Sequence, residues 1–392
     1  MPYNTFINKY GFIEGSESGV RMAKVRDFEF SLIEFAGAVG DFGPLNPFTI
    51  AYIAITGLDP SGILLAMGLT NIIVGLIYRL PLPVEPQKAV ATIALKEKWS
   101  PQLIYGTGIG MGLVWLLLVF SRLIKKIAKI TPVCVIVGVQ LGLMLILLRE
   151  SVGLILMEPL LTNIALALVS FILVVLLLKN RKLPAGVAIF LLGLGIVFLL
   201  NPTLNVKFGF YFPQLSAPSL WDIYTGLLTV GVAQVALTLS NAVLATCLMV
   251  NEKFPERRIE EESLAMNMGW MNTIFPLFGG VPMCHGAGGF ASQYFFGART
   301  GGAMLMEGMV ELFLAFFLAD SIATIFAKFP SSIIGVMLFF ASLELGKLFM
   351  TMRGRFEIAL SIAIAVISFF TNLGVGFFAG LMIHSLRRLS KK

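Results

Sequence analysis

The residues best suited to chemistry lie in two short, broken stretches. RLPLPVEPQKAVATIAL carries Glu85, Gln87 and Lys88, and FGGVPMCHGAGGFASQYFFGARTGG carries His285 directly before Gly286, Ala287, Gly288 and Gly289. Pro81, Pro83 and Pro86 force an extended backbone until a helix can open near Pro86, because proline fixes φ and is tolerated only in the first turn of a helix. The second stretch is expected to run extended as far as Cys284 and then to open a helix at the glycines. The start of each helix leaves backbone N–H groups without internal partners and carries about half a positive charge. Two such starts facing each other supply about +1, and a protonated Lys88 adds another unit. That sum suits a small dianion held by Gln87, Lys88 and Ala89 on one side and by His285, Gly286, Ala287, Gly288 and Gly289 on the other. Bare glycine backbone lets an oxyanion approach the N–H groups closely.

Further polar groups fall in two corresponding places. Asp41 and Asn46 interrupt an apolar segment beside Gly40, Gly43, Pro44 and Pro47, and Thr238, Ser240 and Asn241 interrupt a later one. Neutral hydroxyl and amide donors suit a tetrahedral oxyanion, since they add hydrogen bonds without fixing the charge count. Each assignment has a structural counterpart that the sequence leaves open. Lys88 could pair with Glu85 to hold a helix start, the glycines could serve helix packing, and the hydroxyls and amides could bond helix to helix. His285 could donate to an oxyanion, relay a proton or bond to backbone. Glu85 and His285 are the candidate proton carriers. Glu307, Glu311 and Glu344 stay open between a proton path and a helix–helix hydrogen bond, Arg299 is assigned to a cytoplasmic basic pattern, and His384 to a helix end.

The elements that must position these residues are membrane spans. Of 392 residues, 57% are hydrophobic and 13% charged, and the mean hydropathy is +0.88; an ordinary soluble domain carries about a quarter charged residues. A soluble fold is excluded, and an all-α polytopic membrane protein is expected. Apolar windows at 31–55, 61–78, 86–97, 101–121, 132–148, 159–178 and 184–200 give seven segments, and 222–250, 263–278, 285–297, 301–327, 330–349, 356–371 and 373–387 give seven more. With the N-terminus inside, all but six of the 29 Lys and Arg residues collect on the cytoplasmic side, as orientation by basic loops requires. Lys96, Lys98, Arg149, Lys207 and Lys328 fall outside, and Lys88 lies within the membrane. Seven segments per half make the second half enter from the opposite side, an inverted repeat whose interrupted third and tenth segments point to a binding site. The pairs Asn46/Asn241, Pro83/Pro282 and Gly138/Gly335 share nearly one offset, close to half the chain.

The expected organisation is a cytoplasmic stretch 1–30, a first repeat 31–200, an extracellular linker 201–221, a second repeat 222–387 and a basic cytoplasmic tail 388–392. Residues 1–30 lack an apolar core, so no cleavable leader is expected, and no soluble domain is expected after the last segment. Cys134, Cys247 and Cys284 lie in separate apolar segments without CxxC spacing or clustered histidines, so neither disulfide nor metal site is expected. The net charge of +7 belongs to cytoplasmic loops rather than to nucleic-acid binding. No HExxH, GxSxG, aspartate-rich metal motif or nucleotide-binding loop occurs, which argues against an enzyme, a cofactor and ATP-driven transport.

The strings GAVGDFGPLNPF (37–48), PLPVEPQKAVA (81–91), TLSNAVLATC (238–247), NEKFP (251–255) and PMCHGAGGFASQYFFGARTGG (282–302) resemble the molybdate transporter family, a branch of the sulfate permease superfamily. The resemblance runs from about residue 30 to 385. It implies the fourteen-segment fold of the uracil–proton symporter, with segments 1–4 and 8–11 as core, segments 5–7 and 12–14 as gate, two half-helices preceded by short strands, and no STAS domain. It also implies molybdate uptake by an elevator-like shift of core against gate. The family commonly shows PMPVQPMK where this chain has PLPVEPQK, so Glu85 stands for Gln and Gln87 for Met. An acid beside an anion site calls for protonation or for pairing with Lys88. The expectation is therefore a proton-coupled, homodimeric importer of molybdate, or of tungstate or sulfate, in the cell membrane with both termini cytoplasmic. Alternatives are a sulfate permease-like protein, a nucleobase–proton symporter and a passive anion channel of the same fold.

Overall fold

The computed structural model describes residues 27–40, 48–49, 52–177, 180 and 183–390. The first half comprises α1 (Leu32–Gly40), a π turn at Tyr52–Thr56, α2 (Pro60–Tyr78), β1 (Glu85–Pro86), α3 (Lys88–Lys96), α4 (Pro101–Phe120), α5 (Leu123–Ile130), α6 (Val133–Ile155), α7 (Leu160–Leu177) and α8 (Ala185–Leu200). The second half begins with α9 (Leu220–Gly226), α10 (Val232–Thr238), α11 (Thr246–Lys253) and α12 (Glu261–Ile274). It continues with β2 (Met283–Cys284), α13 (Ala287–Phe296), α14 (Gly301–Phe317), α15 (Ala319–Ala327), α16 (Ser331–Gly346), α17 (Arg355–Phe370) and α18 (Leu373–Ser390).

Local sequence explains where the helices start and stop. Asp59 accepts from Ser61 N at 2.9 Å ahead of α2, and Ser100 accepts from Leu103 N at 3.3 Å ahead of α4. In both, proline follows the cap and occupies the first turn, where its missing N–H costs nothing. Ser219 and Asp222 form a reciprocal capping box at α9. Arg79 ends α2 in the left-handed region at φ 56°.

Six helical stretches among the described residues are long and apolar enough to cross a bilayer singly. They are α2, α4, α6, α7, the continuous run Ala233–Lys253 and the run Ser331–Thr351. A seventh appears if α13 and α14, bent by 105° at their junction, count as one. The shorter helices arise where proline, glycine or a π turn interrupts an apolar run. The run from α9 to α11 is helical throughout but contains π turns at Leu227–Gly231 and Leu239–Ala245, a distortion frequent at functional sites. The basic stretch after α4, which falls between the expected segments 101–121 and 132–148, forms the short amphipathic helix α5.

Packing is dominated by helix pairs with small residues at their contacts. α2 lies against α14, where Gly68 meets the carbonyl of Gly308. α4 lies against α12, and α6 against α16 and α17, where Ser151 Oγ donates to Gly335 O at 2.8 Å and Ser361 Oγ to Cys134 O at 2.8 Å. Without a hydrophobic force between helices in lipid, close backbone approach and such hydrogen bonds hold them together. α1 packs on α13, and α3 on α10. α7 turns Leu161, Leu168 and Leu176 outward, as a lipid-facing helix does.

Candidate functional site

The two broken stretches meet. β1 and β2 pair antiparallel, Glu85 opposite Cys284 and Pro86 opposite Met283, and Gln87 N donates to Pro282 O at 2.7 Å. Prolines leave few backbone donors on this short ladder, so side chains complete it. Asn71 of α2 accepts from Val84 N at 3.2 Å. Asn272 of α12 accepts from Met283 N at 2.7 Å and donates to Met283 O at 2.7 Å. Gln87 Nε2 also donates to Met283 O, at 3.0 Å. Asn71 and Asn272 are fully buried. Sequence reasoning missed both braces, although each is an amide within a helix, about half a chain from the other.

α3 opens directly after β1, with Gln87 as its N-cap. The backbone N–H groups of Ala89 and Val90 donate to Gln234 Oε1 at 2.9 and 3.1 Å, and Gln234 Nε2 donates to Thr238 Oγ1 at 2.6 Å. The donors expected to be open toward an anion at this helix start are thus held by an amide oxygen of α10. Gln234 was not among the expected site residues; its signal in the sequence is a polar side chain one turn before Thr238.

α13 opens with Gly286 as N-cap and no side chain on its first N–H groups. The Glu85 carboxylate lies against Gly286: a Cβ at that position would sit 2.7 Å from Glu85 Cδ, so a larger residue there would displace the carboxylate. Lys88 Nζ is 3.4 Å from Glu85 Oε2; the Lys88 side chain is 22% exposed where Glu85 is 1% exposed, but the ammonium nitrogen is itself buried, so the open part is the aliphatic stem. Nζ lies 3.9 Å from the position of a Cβ on Gly288, which also faces Leu147 of α6. Ala287 and Gly289 are buried in the same first turn.

His285 Nδ1 lies 3.1 Å from Pro83 O. A carbonyl only accepts, so Nδ1 carries a proton, and in the neutral ring Nε2 presents a lone pair rather than a donor. Nε2 is buried and has no partner among the described residues. Thr238 faces Gln234, whereas Ser240 Oγ turns to its own segment, donating to Ala236 O at 3.0 Å and Leu237 O at 3.1 Å. Asn241, in the second π turn, is buried with Oδ1 unpartnered among the described residues. Asp41 and Asn46 lie outside the described residues. Arg299 stands apart from this group, 3.7 Å over the Tyr294 ring and donating to Tyr294 O at 2.5 Å. His384 is a ring neighbour of Phe356 near the end of α18.

The assembled groups offer one ammonium, one carboxylate, one uncapped helix start, one helix start capped by an amide, and a row of neutral amides. Such a set can hold and exchange an anion. Among the described residues no group of three or more His, Cys, Asp or Glu could hold a metal ion.

Comparison with known proteins points the same way. The family model for molybdate transporters of the MFS superfamily matches residues 33–147 and 226–345, one block in each half of the chain. Molybdate transporter 1 of Arabidopsis thaliana is 30% identical, over 91% of this chain and 88% of that protein. Molybdate transporter 2 of the same plant is 28% identical, over 91% and 87%. The transmembrane domain of the cyanobacterial bicarbonate transporter BicA superposes with a TM-score of 0.57 at 16% identity, covering 88% of this chain and 97% of that one. The murine Slc26a9 anion transporter superposes with a TM-score of 0.64 at 12% identity, covering 100% and 75%. At these identities the structural likeness concerns the fold alone: a multi-pass, mostly helical membrane fold of the kind seen in those two proteins.

Proposed function

This chain belongs to the molybdate transporter family, a family of transporters and not of enzymes, and on that premise we propose that it imports a tetrahedral oxyanion as a secondary active transporter. Molybdate is the first substrate, with tungstate or sulfate next. The observation that carries the reading is the meeting of Lys88 with the uncapped start of α13 at the β1–β2 pair. An ammonium and a helix N-terminus sum to about +1.5, which the Glu85 carboxylate cuts to about +0.5, and a dianion entering there replaces the contact between Lys88 and Glu85. Gln87, Lys88, Ala89, Thr238, Asn241, His285 and the first turn of α13 would line the substrate, joined by Asp41, Asn46 and Ser240 of the two interrupted segments.

The transport cycle would use fourteen segments in a 7+7 inverted repeat, with α3 and α13 as half-helices. Support comes from packing that maps onto itself when each segment is exchanged for its partner half a chain away. Thus α2 on α14 answers α12 on α4, α1 on α13 answers α10 on α3, α6 on α17 answers α16 on α7, and α1 on α8 answers α10 on α18. Segments 1–4 and 8–11 would move as a core against a gate of segments 5–7 and 12–14, driven by protons, in a dimer in the cell membrane with both termini cytoplasmic.

Radiotracer uptake into proteoliposomes tests the function. Molybdate should enter faster under an inward proton gradient, and tungstate should compete better than uracil. Competition by uracil but not by tungstate would replace this reading with a nucleobase symporter. Flux indifferent to the proton gradient would replace it with a passive channel.

A further inference from the structure

Away from the β1–β2 pair, α14 carries two buried acids on the face turned to α2. Glu307 and Glu311, one helical turn apart, are 2% and 1% exposed, sealed by the close approach of Gly308 to Gly68. Glu311 Oε2 accepts from Asn71 Nδ2 at 2.8 Å, and Oε1 is buried without a partner among the described residues. Glu307 Oε2 lies 2.5 Å from Gln293 Nε2, and Gln293, fully buried, leaves Oε1 without a donor among the described residues. Each acid thereby reaches one interrupted segment. Asn71 also accepts from Val84 N, immediately before β1, and Gln293 belongs to α13.

We infer that Glu311, with Glu307 one turn before it, is the proton-binding site that couples transport, in place of Glu85 or His285. The inference rests on the reading of the protein as a proton-driven oxyanion transporter. A carboxylate held in a membrane interior by a single neutral amide is costly, whereas a neutral carboxyl is tolerated. Glu85 differs because Lys88 stands 3.4 Å away and balances its charge without a proton. His285 differs because Pro83 O holds its Nδ1.

The other elements packed on α14 bring no further titratable group to Glu311 among the described residues. α2 has only Tyr78, at its end and bonded to Ser263. α1 has Glu34, which accepts from Arg299 N and Thr300 N. α13 has Tyr294, under the Arg299 guanidinium. α15 has Asp320, in its first turn, and the segment hydrogen-bonded to Phe316 O and Phe317 O at the far end of α14 has Lys207 and Tyr211. Asp41, next to Gly40, lies outside the described residues.

Gln293 Nε2 faces Glu307 Oε2, and an amide can present either its N–H or its oxygen, so the pair can serve the carboxylate as donor and the carboxyl as acceptor. A proton taken up from outside converts carboxylate to carboxyl. Its release inside restores the carboxylate and its demand on Asn71 and Gln293, which tie the acids to β1 and α13. A proton is favoured over a metal cation because an amide N–H donor faces Glu311, and a hard cation requires about six oxygen ligands.

The test compares wild type with Glu311→Gln, which keeps size and hydrogen bonding but cannot carry a proton. In proteoliposomes with the membrane potential clamped at zero, an inward pH step of about one unit should concentrate molybdate about tenfold per coupled proton. Glu311→Gln should reach only equal concentrations while still exchanging internal for external molybdate, which shows it folded and competent. Accumulation retained by the variant overturns the assignment.

A second readout needs no transport: molybdate affinity of the purified protein should rise as pH falls in wild type and be flat in Glu311→Gln. A slope in both again overturns the assignment to Glu311. Wild type that accumulates with a sodium gradient and not with a pH gradient overturns proton coupling itself, a failure distinct from that of the residue.

Discussion

In the proposed site Lys88 and Glu85 set the charge available to a dianion, and substitutions at each should move affinity in opposite directions. Lys88→Ala removes the ammonium beside the start of α13 and should weaken molybdate binding by about 2–5 kcal/mol, the range for truncating one partner of a buried charge pair. Glu85→Gln removes a competing carboxylate 3.4 Å from Lys88, so titration calorimetry should show tighter binding, by about tenfold for 1.4 kcal/mol. Equal or weaker binding in Glu85→Gln would mean that the carboxylate orients Lys88 rather than competing for it. Gln234 gives a third case. Its Oε1 sits on the Ala89 and Val90 N–H groups, where an oxyanion oxygen was expected. Gln234→Glu would fix a full negative charge there. Unit charges 4 Å apart repel by about 4 kcal/mol at an effective dielectric of 20, so the Kd for molybdate should rise about a hundredfold or more. Unchanged affinity would separate α3 from the anion site.

The strand pair depends on two asparagines more than on its own backbone. Asn272 serves both the N–H and the carbonyl of Met283 at 2.7 Å, so Asn272→Leu leaves the buried Met283 N–H unsatisfied, at about 1–3 kcal/mol, while the carbonyl keeps only Gln87 Nε2. Its melting temperature in detergent should fall clearly below that of Ser240→Ala, which loses only bonds to its own helix; equal melting temperatures would remove Asn272 as a brace. These elements also show how much the sequence made legible. The interruptions at Pro81–Pro86 and at Gly286–Gly289 were readable because proline and glycine restrict backbone wherever they occur. The starts at Pro60 and Pro101 were readable for the same reason. Asn71, Asn272 and Gln234 were not, because what an amide does depends on which distant backbone group it meets, and hydropathy carries no such information. The basic residues after α4 hid α5, whose apolar residues repeat at helical spacing between lysines. The π turns at Leu227–Gly231 and Leu239–Ala245 leave no compositional mark in an apolar run.

For the molecule as a whole, motion of core against gate must break whatever joins them, and one buried ion cluster spans the proposed boundary. Glu344 of α16, 2% exposed, pairs with Lys253 at the end of α11 at 3.2 Å and with Lys347 at 2.5 Å. Lys253 also lies 5.2 Å over the Tyr294 ring of α13. The Lys253–Glu344 pair therefore links segments assigned to opposite bodies, whereas Lys347–Glu344 stays within one. Breaking a buried pair by removing one partner costs about 3–5 kcal/mol, so Glu344→Gln alone would mix lost stability with altered motion. A cross-link separates the two. With Cys134, Cys247 and Cys284 replaced, Lys253→Cys combined with Glu344→Cys should lose molybdate uptake on treatment with a short thiol cross-linker carrying a cleavable disulfide, and regain it on reduction. The matched pair Lys347→Cys with Glu344→Cys should cross-link without losing transport, since both residues move together. Full uptake in the cross-linked Lys253–Glu344 protein would mean that α11 and α16 travel as one body, and the division into core and gate would have to be redrawn between them.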